Sequence, residues 1–190
     1  MWNECSPYQA PGYEDWQRRL ASLPPTDVHT RVAEATAEDA RWMWWIQADS
    51  ESANIHDVAS NTERIKQKVV VLAEIDGCPV GFCEAFRGSS PADPLFIQMV
   101  AVVPRARRRG AALALLHAAA TAEPQRDIVG ATLDENIAAR SLNERFAESL
   151  DASIQRVPVR SFCRSDMGFG PGEEHRPWLI RRASQPRESD

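Results

Sequence analysis

A β-branched run, V-V-V-L-A-E-I at 69–75, and the run P-V-G-F-C-E-A-F at 79–86 are separated by little more than Asp76-Gly77. So short a connection can only fold the chain back on itself. Parallel neighbours need a crossover of a dozen or more residues, whereas Asp-Gly adopts the left-handed conformations that a two-residue hairpin turn demands. A third run, L-F-I-Q-M-V-A-V-V at 95–103, follows a loop containing Gly88, Ser89, Ser90, Pro91 and Pro94 and stops at Pro104, which cannot extend a ladder. Three strands in antiparallel order therefore form the centre around which helices must pack.

The flanks supply those helices. Residues 1–27 read as an N-terminal extension: Pro7, Pro11 and Gly12 precede a short helix, E-D-W-Q-R-R-L, which Pro24-Pro25 ends, with Trp16 and Leu20 facing the main body. His29 to Ala35 is a candidate first strand, and Thr36 caps a helix carrying W-M-W-W-I. Trp42, Trp44 and Trp45 cannot all face one way, so they divide between core, rim and a cleft. Ser60 and Glu63 have capping-box spacing for a second helix over 54–68, anchored by Ile65. Gly110 to Glu123 reads as an Ala/Leu helix closed by Pro124. I-V-G-A-T-L at 128–133 is a strand, and Asp134 to Glu148 an amphipathic helix with Ile137, Leu142 and Phe146 toward the core. Ser153–Phe162 and Pro177–Arg182 read as two further strands around the loop S-D-M-G-F-G-P-G-E-E, and 184–190 as a polar, disordered tail. The fold class is α/β: a mixed, mainly antiparallel sheet flanked by helices, in one domain over 28–183.

A chain of 190 residues, 43% hydrophobic, is enough for one such core. Its 22 Lys and Arg against 27 Asp and Glu give a net charge of −5, which disfavours binding RNA or DNA through overall charge. Met1 to Ala10 has no basic-then-apolar leader, and the Ala111–Ala122 run is short and broken by His117, so the expectation is a cytoplasmic protein with no membrane contact. Cys5, Cys78, Cys83 and Cys163 form no C-x-x-C pair and the histidines are scattered, which points to neither a disulfide framework nor a metal.

Against this acidic background, Arg105, Arg107, Arg108 and Arg109 crowd the start of the Ala/Leu helix. A helix N-terminus is already partly positive, and each nearby cation costs a few tenths to about 1 kcal/mol there unless an anion lies among them. The strand–turn–helix order aims unpaired backbone N–H groups at one place, and Gly110 admits a close ligand, so a phosphate is the expected guest. G-x-x-x-x-G-K-[ST] is absent, and no G-x-G-x-x-G follows a strand.

Arg107-x-x-Gly110-x-Ala112 resembles the acetyl-CoA signature [QR]-x-x-G-x-[GA] of the GNAT N-acetyltransferase superfamily, and Asn136-x-x-Ala139-x-x-Leu142 is similar to its N-x-x-A-x-x-L element. The resemblance implies that Val100, Ala101 and Val102 line the pantetheine arm through backbone groups in a splayed strand, and that Asn136 contacts that arm. It implies that Arg107, Arg108, Arg109, Gly110, Ala111 and Ala112 hold the pyrophosphate. Arg108 and Arg109 either reach the nucleotide 3′-phosphate or stay solvated beside the turn.

Acyl transfer to an amine needs a base for the ammonium proton and uses, optionally, an acid for the departing thiolate. Relatives commonly place a tyrosine acid directly after the leucine of the second element; Asn143 stands there and has no transferable proton. The fourth-strand position that is a histidine or acid in some relatives is Gln98, which orients a water at most. Glu84 is the candidate base, on the strand face of Phe82 and Phe86, its alternative being a charge at the sheet rim. The resemblance sets His56 and Asp57 where the family's variable first helices shape the acceptor pocket, the alternative being a solvated loop. Glu51, Asp57, Glu173 and Glu174 would attract a cationic acceptor past an aromatic entrance at Trp42, Trp44 and Trp45, or serve as solvated surface. The implied activity is transfer of an acetyl or other acyl group from acyl-CoA to a primary amine of a small molecule or protein, by a monomer or homodimer without metal. The alternative is a non-catalytic CoA-binding sensor or scaffold, favoured by Asn143 and Gln98.

Overall fold

The structure, a computed structural model, describes residues 6–50, 54–170, 172 and 174–182. Cys5, Glu51, Glu173 and the tail at 184–190 lie outside the described residues. Among the described residues, five helices, α1 (Tyr13–Ala21), α2 (Ala37–Asp49), α3 (Val58–Gln67), α4 (Ala111–Ala122) and α5 (Ile137–Ser149), accompany seven strands: β1 (His29–Val32), β2 (Val69–Ile75), β3 (Cys78–Arg87), β4 (Leu95–Val102), β5 (Ile128–Thr132), β6 (Ser153–Arg156) and β7 (Arg176–Arg181). The sheet order is β1-β2-β3-β4-β5-β7-β6. Asp76 and Gly77, at φ 52° and 64°, make the hairpin turn the sequence demands. Strands β1 and β2, β5 and β7, and β6 and β7 pair antiparallel, while β4 and β5, with α4 between them in the chain, run parallel. The expected mixed, mainly antiparallel sheet is present.

The chain divides into two compact units, one within Met1–Cys83 and Val100–Ala118, the other within Glu84–Met99 and Ala119–Asp190. In the first, Thr36 accepts from Asp39 N at 3.2 Å and caps α2 as expected. Helix α3 starts earlier than its capping-box spacing suggests: Asp57 accepts from Ser60 N at 2.7 Å, so the cap lies three residues before Ser60. The two helices are joined by a buried polar knot. Gln47 Nε2 donates to Asn61 Oδ1 at 3.3 Å, and Asn61 Nδ2 donates to the carbonyls of Ala40 (3.3 Å) and His56 (2.9 Å), which satisfies amides that would otherwise cost 1–3 kcal/mol each, roughly. The extension packs as expected, with Trp16 and Leu20 buried. Trp16 lies 5.6 Å from the Trp45 ring and donates to Pro79 O at 2.9 Å. Trp45 therefore faces α1, with Trp42 edge-on against it, and does not line an entrance.

In the second unit, Phe96, Val129, Met167, Phe169 and Leu179 form a core on one face of the sheet. The strand expected over Ser153–Phe162 ends at Arg156, because Pro158 follows and a short 3-10 turn takes Val159–Ser161. Helix α5 buries Asn143, Phe146 and Ala147. Ile137, expected in the core, is 70% exposed: nine residues at about 100° each set it half a turn away from Phe146.

Candidate functional site

The arginine-rich turn begins where Val103 N donates to Val80 O at 3.0 Å, holding the end of β4 against β3. A 3-10 turn over Pro104–Ala106 follows, closed by Ala106 N to Val103 O (3.0 Å) and Arg107 N to Pro104 O (3.2 Å). The backbone then turns left-handed at Arg108 (φ 62°) and Gly110 (φ 83°), and the first bond of α4 runs from Ala114 N to Gly110 O at 2.9 Å. Between those two hydrogen bonds, none of the backbone N–H groups from Arg108 to Leu113 has an acceptor among the described residues. Such a row at a helix start is an anion nest, since partial positive charges from both turn and helix converge. Gly110 suits it twice: its φ disfavours any side chain, and a Cβ there would meet nothing within 4 Å, so the space above it is open. The residues present thus fit a diphosphate group.

The guanidinium groups behave differently from one another. Arg105 and Arg108 are exposed, with no hydrogen-bond or ion-pair partner among the described residues. Arg107 donates through Nε to Val102 O at 3.3 Å and through Nη2 to Ser50 O at 3.5 Å. Arg109, expected to reach a phosphate, instead turns its side chain toward the extension, where Nη2 donates to Pro24 O and, at 3.2 Å, to Thr26 O. What Arg109 presents to the turn is its backbone amide. Ala111 and Ala112 contribute theirs from the first turn of α4. Val100, Ala101 and Val102 form the end of β4. Asn136 is exposed and caps α5, its Oδ1 accepting from Ala139 N at 3.0 Å, so only its amide nitrogen is left to face a ligand.

The candidate catalytic residues do not converge on one point. Glu84 is fully buried (0% exposed) on β3, on the face of Phe86, whose ring stacks on Phe96 at 6.3 Å. Gln98, two residues beyond Phe96, shares that face with its amide nitrogen engaged: Nε2 donates to Ser165 O (3.2 Å) and Asp166 O (2.8 Å), and Gly168 packs against its Cβ. Gln98 tethers the loop that covers this side of the sheet. Asn143 is on the other face, buried beside a cavity of about 200 Å3 lined also by Arg140, Ile154, Arg156 and Trp178. His56 and Asp57 have structural roles: His56 N donates to Gln47 Oε1 at 3.0 Å, and the Ser60 amide and hydroxyl hold the Asp57 carboxyl below the usual carboxylate range. A second cavity, about 470 Å3, has Asp134, Glu135 and Glu174 beside Arg164 and Arg176, so Glu174 faces a mixed rather than an acidic surround.

Residues 32–147 match the acetyltransferase (GNAT) family. No curated protein matches the sequence. Among solved structures, the diaminobutyrate acetyltransferase of Paenibacillus lautus, in complex with L-2,4-diaminobutyric acid and coenzyme A, is similar over 82% of this chain and 94% of its own, at 24% identity and a TM-score of 0.61. The ribosomal-protein-S18-alanine N-acetyltransferase of Escherichia coli is similar over 85% of this chain and all of its own (100%), at 14% identity and a TM-score of 0.59. A Salmonella typhimurium acetyltransferase homologue with its cofactor acetyl-CoA covers 86% and 100%, at 15% identity and a TM-score of 0.54. The fold is common to all three, and with the family match extending over most of the sheet and through the arginine-rich turn, this chain belongs to the GNAT acetyltransferase family.

Proposed function

We propose that the chain transfers an acetyl or other acyl group from acyl-CoA to a primary amine, by direct attack in a ternary complex in the cytoplasm. The observation that carries this reading is the row of six backbone amides from Arg108 to Leu113, without an acceptor among the described residues, around an open Gly110. Those amides and the free Arg108 side chain hold the diphosphate, the backbone of Val100, Ala101 and Val102 lines the arm, and the Asn136 amide nitrogen donates to it. Acyl-CoA supplies a thioester, whose carbonyl carbon is electrophilic and whose thiol, with an ordinary pKa near 8.5, leaves readily as thiolate. Glu84 accepts the ammonium proton through a water that bridges its buried carboxylate to the acceptor. Asn143 donates no proton, and the thiolate departs unprotonated, at a rate penalty of at most about 10² to 10⁴.

Calorimetry with CoA tests the binding half: micromolar to millimolar affinity is expected for the wild type and none for Gly110→Glu, whose carboxylate occupies the nest. Turnover of acetyl-CoA across small amines, peptides and aminoglycosides tests the transfer half. Binding without turnover on any amine would instead support a CoA-binding sensor, the reading that the engaged Gln98 amide favours.

A further inference from the structure

The turn that makes the nest is left without internal support. Its last hydrogen bond on the strand side is Arg107 N to Pro104 O and its first on the helix side is Ala114 N to Gly110 O. Arg108 and Gly110 both sit at positive φ. The amides of Arg108, Arg109 and Gly110 make no backbone hydrogen bond among the described residues, so a tether from elsewhere in the chain adds directly to what holds the turn in shape. Among the described residues, the only hydrogen bonds from within Arg108–Gly110 to another part of the chain are those of Arg109 to Pro24 O and Thr26 O.

Those carbonyls are themselves firmly mounted. They follow α1 closely, and α1 is fixed by Trp16, which is buried, donates to Pro79 O at 2.9 Å and packs its ring against Trp45 and Tyr13. Pro24-Pro25 restricts the backbone between helix and carbonyl. An arginine suits the task because its planar fork can meet two carbonyls at once.

We infer that Arg109 is a positioning residue: through Pro24 and Thr26 it makes the N-terminal extension the outer wall that pre-shapes the diphosphate nest. The inference rests on the proposed acyl-CoA reading. Pre-organisation of this kind lowers the ordering cost of binding without touching the ligand. It therefore acts equally on any ligand that carries the diphosphate, whether or not the 3′-phosphate is present.

The test is calorimetry of the full chain with CoA and with 3′-dephospho-CoA, for the wild type, Arg109→Gln, Arg109→Lys and Pro24→Gly. Arg109→Gln should weaken both ligands by the same factor, about tenfold. Arg109→Lys, which reaches one carbonyl, should recover part of that loss, and Pro24→Gly, which loosens the acceptor, should reproduce the pattern with Arg109 intact. Combining Arg109→Gln with Pro24→Gly should weaken binding no further than Arg109→Gln alone, since both cut one tether. A loss confined to CoA would show that the guanidinium contacts the 3′-phosphate, and unchanged affinity in Arg109→Gln would show that the tether does nothing; either overturns the inference while leaving the acyl-CoA reading standing. A wild type that binds neither ligand overturns both.

Discussion

At the scale of single residues, the buried carboxylate of Asp39 has its partners close by. Asp39 is buried at the start of α2, where Arg31 donates to both its oxygens at 2.7 Å and Glu34 N donates to it at 2.7 Å. Burial pushes its carboxyl upward, but the Arg31 fork and the Glu34 amide prevail and hold it below the ordinary carboxylate value. A depressed folded-state value means that the stabilisation is complete above the unfolded value, roughly pH 4, and disappears as pH falls through the folded one. Urea denaturation should therefore show Asp39→Asn destabilised at pH 7 by about 1–2 kcal/mol, after discounting for the part-exposed Arg31. The deficit should shrink toward zero below pH 4. On the proposed reading, Glu84 is the residue that takes the ammonium proton. Steady-state kinetics on Glu84→Gln should show kcat/KM lowered by about 10² to 10⁴, with CoA affinity unchanged by calorimetry; a full-rate variant removes Glu84 from the mechanism.

At the scale of elements, what was legible was whatever depends on neighbours in sequence. The hairpin at Asp76-Gly77, the Thr36 cap and the arginine-rich turn into α4 each follow from a few adjacent residues, and each is where its residues set it. What depended on distant partners was not. Gln98 as tether requires Ser165 and Asp166, 67 and 68 residues away. The side chain of Arg109 finds acceptors 83 and 85 residues back, and no local pattern marks those carbonyls. Ile137 is exposed for a simpler reason: despite its apolar character it stands half a turn from Phe146 on the helix. Gly130 belongs to the long-range class too: it faces Trp178 across the β5–β7 ladder, and the indole lies where a Cβ would be. Gly130→Ala should cost about 1–3 kcal/mol through displacement of that ring, read as a lower urea midpoint with an unchanged slope.

At the scale of the whole molecule, ligand and fold are linked. A ligand that fills the nest binds only the folded chain, so CoA at about 100 times its Kd should add roughly 2.7 kcal/mol and raise Tm by several degrees, read by thermal denaturation. The arginine-rich turn carries most of what the sequence discloses about activity, whereas the 157–169 loop, packed on Phe96 and Val129, leaves little local signature. No described helix is long and apolar enough to cross a membrane. One pairing late in the chain bears on biosynthesis. Arg182 donates to the carbonyls of Ala120 (3.0 Å) and Glu123 (2.9 Å) at the end of α4, 62 and 59 residues earlier. At about 5–20 residues per second, the ribosome needs several seconds to deliver that arginine after the helix has been made. Until then those two carbonyls keep only the local bonds from Glu123 N (3.2 Å) and Arg126 N (3.3 Å), so the end of α4 gains its long-range donor after everything before it has been made.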